Sequence, residues 1–590
     1  MKPRGITKLA NRYASTPKRT FFDLSNDRGL TKAHVIGDTS EPLLTETIGE
    51  NYKRQVNVFG SRNVINCAEQ KISETFSELD ENIIRVSTRL LQLGYKKGDR
   101  IGIFMPNNYE WILLAFACMH VGIILTNLNP AYRLTELEHA INLSECKGLV
   151  IVPNFKSSDY ISMVLELCPE LMRTKYGTDL HSKKLPSLRH VWHCGPEGDR
   201  FYGVQHINDL LNCDKDFAMV NSAQTNLSCH DVINIQFTSG TTGKSKAAAL
   251  THSNILNNGY FVGGRMNLSE VDRICIPVPL FHCFGLVLGV LACVTHGSSF
   301  VLPGASFDAM AALQATHDYE CTGLHGVPTM FTSYLEKDLK KYNFNKLRTG
   351  IMAGSTCPIV TMQQCIDVLN LRDMTICYGM TETSPVSFQS SIDDPVHRRV
   401  TTIGKIHPHV ECKVINPTTG ETCDVNVPGE LCTKGYLVMK EYWAQPQATK
   451  DAIDEDGFMH TGDMAIIDKE GYASIVGRIK DLIIRGGENI SPREIEEFLM
   501  TNNKVSNVSV VGVYDSKFGE QVCAWIILKK GQVMTESDVV NFCREKVAHY
   551  KIPKYIFFTE TFPMTLSGKV QKFVLRDDAN QRIHGKKSGF

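Results

Sequence analysis

Apolar residues return at helical spacing across residues 77–93. Leu79, Ile83, Val86 and Leu90 share one face of a helix with 3.6 residues per turn. Ser77 stands where an N-cap would and Gly94 where a helix stops, so the spacing predicts a helix over 77–93. The pattern then changes. Ile101-Gly102-Ile103-Phe104-Met105 is a short unbroken apolar run halted by Pro106-Asn107, as in a strand buried on both faces. Residues 149–152 and 233–237 repeat it. Helical and strand-like segments alternate, which predicts an α/β fold: a large N-terminal domain of mostly parallel sheets covered by helices. The longest apolar run, residues 111–126, contains His120 and Gly122. It falls short of the roughly 20 residues a membrane-spanning helix needs, and we read it as core.

The pattern near the C-terminus predicts a separate, small α+β domain. Ser491-Pro492-Arg493-Glu494 should open a helix, with Ser as cap, Pro at the first position and Glu reaching back from the third. Residues 508–511 and 524–528 read as strands. Arg478-Ile479-Lys480-Asp481 is the candidate boundary. The expected organisation is a presequence over residues 1–35, a domain over 36–479 and a mobile domain over 480–590.

Composition removes whole classes. Of 590 residues, 43% are hydrophobic and 21% charged, which leaves ample core and excludes a disordered or fibrous chain. Lys plus Arg and Asp plus Glu are both 63. That balance gives no reason to expect nucleic acid or an anionic membrane as partner. The 19 Cys are scattered and none are spaced as CxxC, so they read as reduced thiols rather than disulfides or zinc ligands. The first 22 residues hold six basic side chains and no acid. Arg4, Lys8 and Arg12 share one helical face while Ile6, Leu9, Ala10 and Tyr13 share the other, the profile of a mitochondrial presequence.

One stretch carries chemistry. The apolar run ending at Phe237 leads into Thr238-Ser239-Gly240-Thr241-Thr242-Gly243-Lys244-Ser245-Lys246. Glycines let the backbone fold tightly and bring N–H groups against an anion, and hydroxyls and lysines add donors and charge. Such a loop suits a polyphosphate. It nearly spells G-x-x-x-x-G-K-[ST], but Thr238 occupies the first glycine position, which argues against a P-loop NTPase.

This loop resembles the signature of the adenylate-forming (AMP-binding) superfamily, and further motifs follow in family order. Tyr378-Gly379-Met380-Thr381-Glu382-Thr383, Thr461-Gly462-Asp463, Gly477-Arg478-Ile479-Lys480-Asp481, Arg485-Gly486-Gly487-Glu488-Asn489 and Leu566-Ser567-Gly568-Lys569 each match a core motif. Two positions depart: Ser245 stands where the family usually has Pro, and Ala247 where it usually has Gly. The resemblance spans residues 75–576, with finer matches to the mitochondrial medium-chain acyl-CoA ligase branch at 352–355, 483–490 and 552–555.

The resemblance implies ATP, Mg²⁺ and CoA as small-molecule partners. It implies that Thr238 to Lys246, Tyr378, Asp463, Arg478 and Lys569 hold the nucleotide, with Asp463 on the ribose. Glu382 would hold Mg²⁺ through ATP and Thr381 would meet phosphate. Lys569 would be the lysine of the first half-reaction, and Lys480 the hinge of the C-terminal domain. Gly486, Gly487 and Glu488 would flank the CoA channel. His282, in Phe281-His282-Cys283, would face the carboxylate, with Gly354, Gly379 and Val327 walling the acyl pocket. The implied activity is medium-chain fatty acid activation in two steps through an acyl-adenylate. Rivals are an aryl-CoA ligase, another adenylating enzyme, or a nucleotide-binding protein without catalysis. An amino-acid enzyme would want an acid over residues 384–388, and none is there.

Overall fold

The computed structural model describes residues 29–238, 245–354, 357, 359–485, 488–544, 546–565 and 568–585. The presequence stretch 1–28, loop residues 239–244, and Gly486 and Gly487 lie outside the described residues.

Two large sheets form the body. An eight-stranded sheet carries Arg100–Phe104, Ile124–Asn127, Gly148–Ile151 and His190–His193 in parallel, and adds Val232–Thr238 parallel to Ile124–Asn127. A nine-stranded sheet carries Asn63–Cys67, Ser299–Leu302, Arg273–Cys275, Gly323–Leu324, Thr349–Ala353 and Asp373–Gly379, again parallel. One apolar core joins the two sheets through helices Phe76–Gln92, Tyr109–His120 and His252–Arg265. Helix Tyr109–His120 is buried along nearly its whole length, which explains an apolar run without helical periodicity. No described helix is long and apolar enough to cross a membrane. All 19 cysteines are free thiols.

The helix expected over 77–93 is where its periodicity put it, at Phe76–Gln92, but its cap is different. Thr75 accepts the Glu78 N–H, and the Glu78 carboxylate returns to the Thr75 N–H. Ser77 lies inside the first turn. A capping box satisfies two orphan N–H groups at once, so Thr75 wins over a lone serine two residues on.

A third, five-stranded antiparallel sheet contains His34–Ile36, Val410–Ile415, Gly429–Gly435, Met459–Ile467 and Ala473–Arg478. Ala33 and Val35 are buried in its core, so residues 33–36 are part of the folded body although the expected presequence runs to residue 35.

The last sheet begins at Ile483–Arg485 and is built around Val505–Asp515 paired with Gly519–Leu528. These strands contain the expected runs 508–511 and 524–528. Helix Pro492–Met500 follows Ser491, but no capping box forms. The Ser491 hydroxyl donates instead to the Val476 carbonyl, Arg493 donates to the Ile475 carbonyl, and Glu494 pairs with Lys551. Contacts across to Ala473–Arg478 displace the local cap and dock this unit on the body.

Candidate functional site

The expected site residues come from the carboxyl ends of strands, the usual crevice of open parallel sheets. Thr238 ends Val232–Thr238. Gly354 and Gly379 end the neighbouring strands Thr349–Ala353 and Asp373–Gly379, and Val327 follows Gly323–Leu324 beside them. Gly354 has φ +93°, and a Cβ there would lie 3.1 Å from Val327 Cγ1. Gly354 and Val327 therefore meet. Gly379 differs: a Cβ on it would run into the Pro385 carbonyl oxygen at 1.6 Å. That glycine is required by the turn into Val386–Gln389, whatever else it lines.

That turn presents Thr381, Glu382 and Thr383, all buried. The Met439 N–H holds the Glu382 carbonyl at 2.8 Å. The Tyr442 hydroxyl donates to Glu382 Oε1 at 2.7 Å, and the Lys246 ammonium sits 4.7 Å above the Tyr442 ring. Burial, then the Glu382 charge, pushes the Tyr442 phenol pKa up, so it stays a donor. Tyr442 was not read from the sequence, where Glu441-Tyr442-Trp443 looks like an ordinary apolar edge.

The two departures from the family pattern are accommodated locally. The Ser245 hydroxyl lies near the Tyr132 side chain. Ala247 lies in strand Lys246–Thr251 opposite Phe237, packed against Trp443.

Asp463 and Arg478 face each other across paired strands. Arg478 Nε is 3.0 Å from Asp463 Oδ1, and the Tyr378 hydroxyl donates to Asp463 Oδ2 at 2.6 Å. Asp463 is buried while Arg478 is half open to solvent. Burial, with the carboxylate beside it, holds the Tyr378 pKa well above its ordinary value.

His282 comes from the segment before the π-helical turn Phe284–Leu291. That segment is tied to the first sheet: Asn127 Nδ2 donates to the Phe281 carbonyl at 3.0 Å, and Cys283 Sγ to Gln236 Oε1 at 2.9 Å. The Phe284 N–H donates to His282 Nδ1 at 3.2 Å, which leaves the ring proton on Nε2. Enclosure and the nearby Lys569 charge push the imidazolium pKa down to about 3. The ring is neutral at physiological pH and can only donate through Nε2.

Lys569 arrives from the C-terminal unit. Its charge is felt by Arg478, Asp463, Glu382 and Cys283, and enclosure, then Arg478, pushes its pKa down. The residue is nonetheless exposed, so it stands at an open cleft rather than in a core. Gly568 beside it has φ +77°, and a Cβ there would lie 2.7 Å from Val327 Cγ2. Only glycine allows the strand-connecting loop so close to the body. The structure thus brings Lys569, Glu382, Asp463, Arg478 and His282 together. It does not bring Glu488 there: that residue pairs with Arg485 in a hairpin whose own neighbour is Gly519. Lys480 sits in the short turn Ile479–Asp481 between body and C-terminal sheet.

The chain is similar to known proteins over most of its length. The AMP-binding enzyme model matches residues 52–443, and the AMP-binding enzyme C-terminal domain matches 494–569. A Danio rerio protein named medium-chain acyl-CoA ligase ACSF2, mitochondrial, is 42% identical over 559 residues, covering 94% of this chain and 92% of its own length. The Homo sapiens protein of that name is 38% identical, covering 98% and 93%. The crystal structure of ATP-bound MatB from Rhodopseudomonas palustris superposes with a TM-score of 0.76 at 27% identity, covering 90% of this chain and 99% of its own.

Proposed function

The chain belongs to the AMP-binding enzyme family, and we propose that within it the protein is a mitochondrial medium-chain fatty acid–CoA ligase with the site residues given above in the roles that follow. It is an ATP-dependent, AMP-forming acyl-CoA synthetase, similar over nearly its full length to ligases of that name. The observation that supports the assignment of roles is the entry of Lys569 into the cleft of Glu382, Asp463, Arg478 and His282.

A fatty carboxylate attacks the α-phosphorus of ATP and pyrophosphate leaves. The CoA thiol then attacks the acyl-adenylate carbonyl and AMP leaves. Both nucleophiles are substrates, so the protein supplies position and charge. Asp463 accepts the ribose hydroxyls, with Tyr378 and Arg478 holding its carboxylate. Lys569 offsets the repulsion between carboxylate and α-phosphate. Neutral His282 adds a donor without a charge. Residues 238–246 take the phosphates.

Glu382 fits Mg²⁺. It offers a hard carboxylate oxygen, and Oε1 is oriented by Tyr442 while Oε2 has no hydrogen-bond partner among the described residues. Mg²⁺ is bound by one or two carboxylates plus substrate phosphates, and when bound it would neutralise phosphate charge. Tyr442→Phe should lower kcat/KM for pyrophosphate release about tenfold to a hundredfold, since a hydrogen bond to a charged group contributes about 1.5–3 kcal/mol. Both groups are buried, so the thermal midpoint should also fall by several degrees. An unchanged kcat/KM would remove Tyr442 from the site.

Chain length is read by assay: CoA-dependent pyrophosphate release with straight-chain acids from acetate to palmitate, with benzoate and amino acids alongside. A peak at medium chains is expected. A peak on benzoate or an amino acid would keep the chemistry and overturn the substrate. For the domains, we propose the hinge at Lys480 and a leader that ends before Leu30, since Ala33 and Val35 are core. Residues 1–29 fused to a fluorescent protein should carry it into mitochondria.

A further inference from the structure

On the strand that carries Asp463 and on its neighbour lies a cluster the proposed activity does not use. Glu430 and Cys432 lie on strand Gly429–Gly435 and His460 on Met459–Ile467, and sheet register sets Cys432 directly opposite His460. One ligand atom from each of the three falls within 4.8 Å of the others. Glu430 Oε2 is 3.0 Å and Cys432 Sγ 3.6 Å from the same nitrogen, His460 Nδ1. The other nitrogen, Nε2, faces Asp454 Oδ2 at 3.6 Å.

We propose that Glu430, Cys432 and His460 form a binding site for a borderline divalent transition metal of the Zn²⁺ class.

Four observations carry this. The first is spacing. Zn–S of about 2.3 Å and Zn–N of about 2.0 Å at a tetrahedral angle put the two ligand atoms about 3.5 Å apart, close to the 3.6 Å here. The Glu430 oxygen, at 3.0 Å, needs only a few tenths of an ångström of opening. The second is the outer shell. A metal-bound histidine usually gives its remaining ring N–H to a carboxylate, and Asp454 occupies that position. The Gly462 N–H donates to Glu430 Oε1 at 3.2 Å, so the carboxylate is aimed by the backbone with Oε2 turned inward. The third is charge. Glu430 and Asp454 bring two negative charges and Lys413, 3.8 Å from Asp454, returns one, while a bound metal would release the Cys432 thiol proton and the extra His460 ring proton. A divalent cation neutralises the remainder. The fourth is access. Cys432 is fully buried, but the His460 side chain is 32% exposed, so an ion can enter from the His460 side. Thiolate, imidazole and carboxylate together favour Zn²⁺ over Mg²⁺ or Ca²⁺. Three protein ligands leave a fourth position open for water or a small anion.

The sequence hid the site because Cys432 and His460 are far apart in the chain and meet only through strand pairing. The one short spacing, Glu430-Leu431-Cys432, is no recognised metal motif.

The test uses the full-length protein, stripped of metal, titrated with Co²⁺ alone. One equivalent should produce a thiolate-to-cobalt charge-transfer absorption that Zn²⁺ abolishes by displacement and millimolar Mg²⁺ leaves in place. Cys432→Ser should remove the band. His460→Gln and Asp454→Asn change partly exposed positions, so they preserve folding even if Cys432→Ser does not. His460→Gln should abolish tight binding. Asp454→Asn should weaken it about 10- to 100-fold, as for outer-shell carboxylates. A band that persists in folded Cys432→Ser would overturn the proposal. So would an affinity unchanged by His460→Gln, or displacement of Co²⁺ by Mg²⁺ on equal terms.

Discussion

Lys569→Ala will lower acid-dependent pyrophosphate release by about 10²–10³-fold, the usual cost of removing one group that meets developing charge. Thioester formation from supplied acyl-adenylate and CoA will stay near the unaltered rate. The split follows from where the ammonium is. Lys569 reaches the cleft from the C-terminal unit, beside Asp463, Arg478 and Glu382, and is held there by the close passage of Gly568 over Val327. In the proposed first half-reaction two anions must meet, and this cation would offset their repulsion. In the second, the attacked carbonyl carries an adenylate leaving group and the repulsion is gone. Methionine at position 569 keeps the aliphatic stem and removes the charge, so it should behave like alanine. Equal loss in both half-reactions would show a structural rather than an electrostatic role.

Lys480→Pro should give the opposite split, with adenylation retained within a few-fold and thioester formation reduced by about 10²-fold. A misplacement of about 1 Å is enough for a loss of that size. Lys480 sits in the turn Ile479–Asp481, between the last strand of the body and the first of the C-terminal sheet. In the observed arrangement Lys569 is in the cleft while the Glu488 hairpin packs on its own sheet. On the proposed mechanism, the second step calls for rotation about this turn. Proline fixes φ at the pivot, so it spares the arrangement seen and blocks the other. Stopped-flow measurement of each half-reaction separates the two. Full overall turnover in Lys480→Pro would overturn the hinge.

The docking contacts favour the arrangement seen without locking it. Ser491 and Arg493 hold the strand Ala473–Arg478 through two carbonyls, and such hydrogen bonds contribute about 1 kcal/mol each. Contacts of that size can be exchanged during turnover.

The sequence by itself determined the α/β class, the burial of the apolar run over residues 111–126 and the order of the motifs. Each depends on periodicity or on a short run of residues whose chemistry is local. Apolar spacing placed helix Phe76–Gln92 to within a residue, and a glycine-rich loop after a strand signals an anion wherever it stands. Tertiary structure decided what depends on residues distant in the chain. Tyr442 meets Glu382 only because Glu441–Tyr442 pairs at the edge of Lys246–Thr251. Ser491 forsakes its own helix because the Val476 carbonyl is within reach. Ala33 and Val35 are core because a strand about 380 residues later pairs with theirs. Glu430, Cys432 and His460 converge by register alone. A one-dimensional pattern records the forces within a turn or a strand; which strands become neighbours is settled by burial of the whole core, and the final partner of each polar group follows from that.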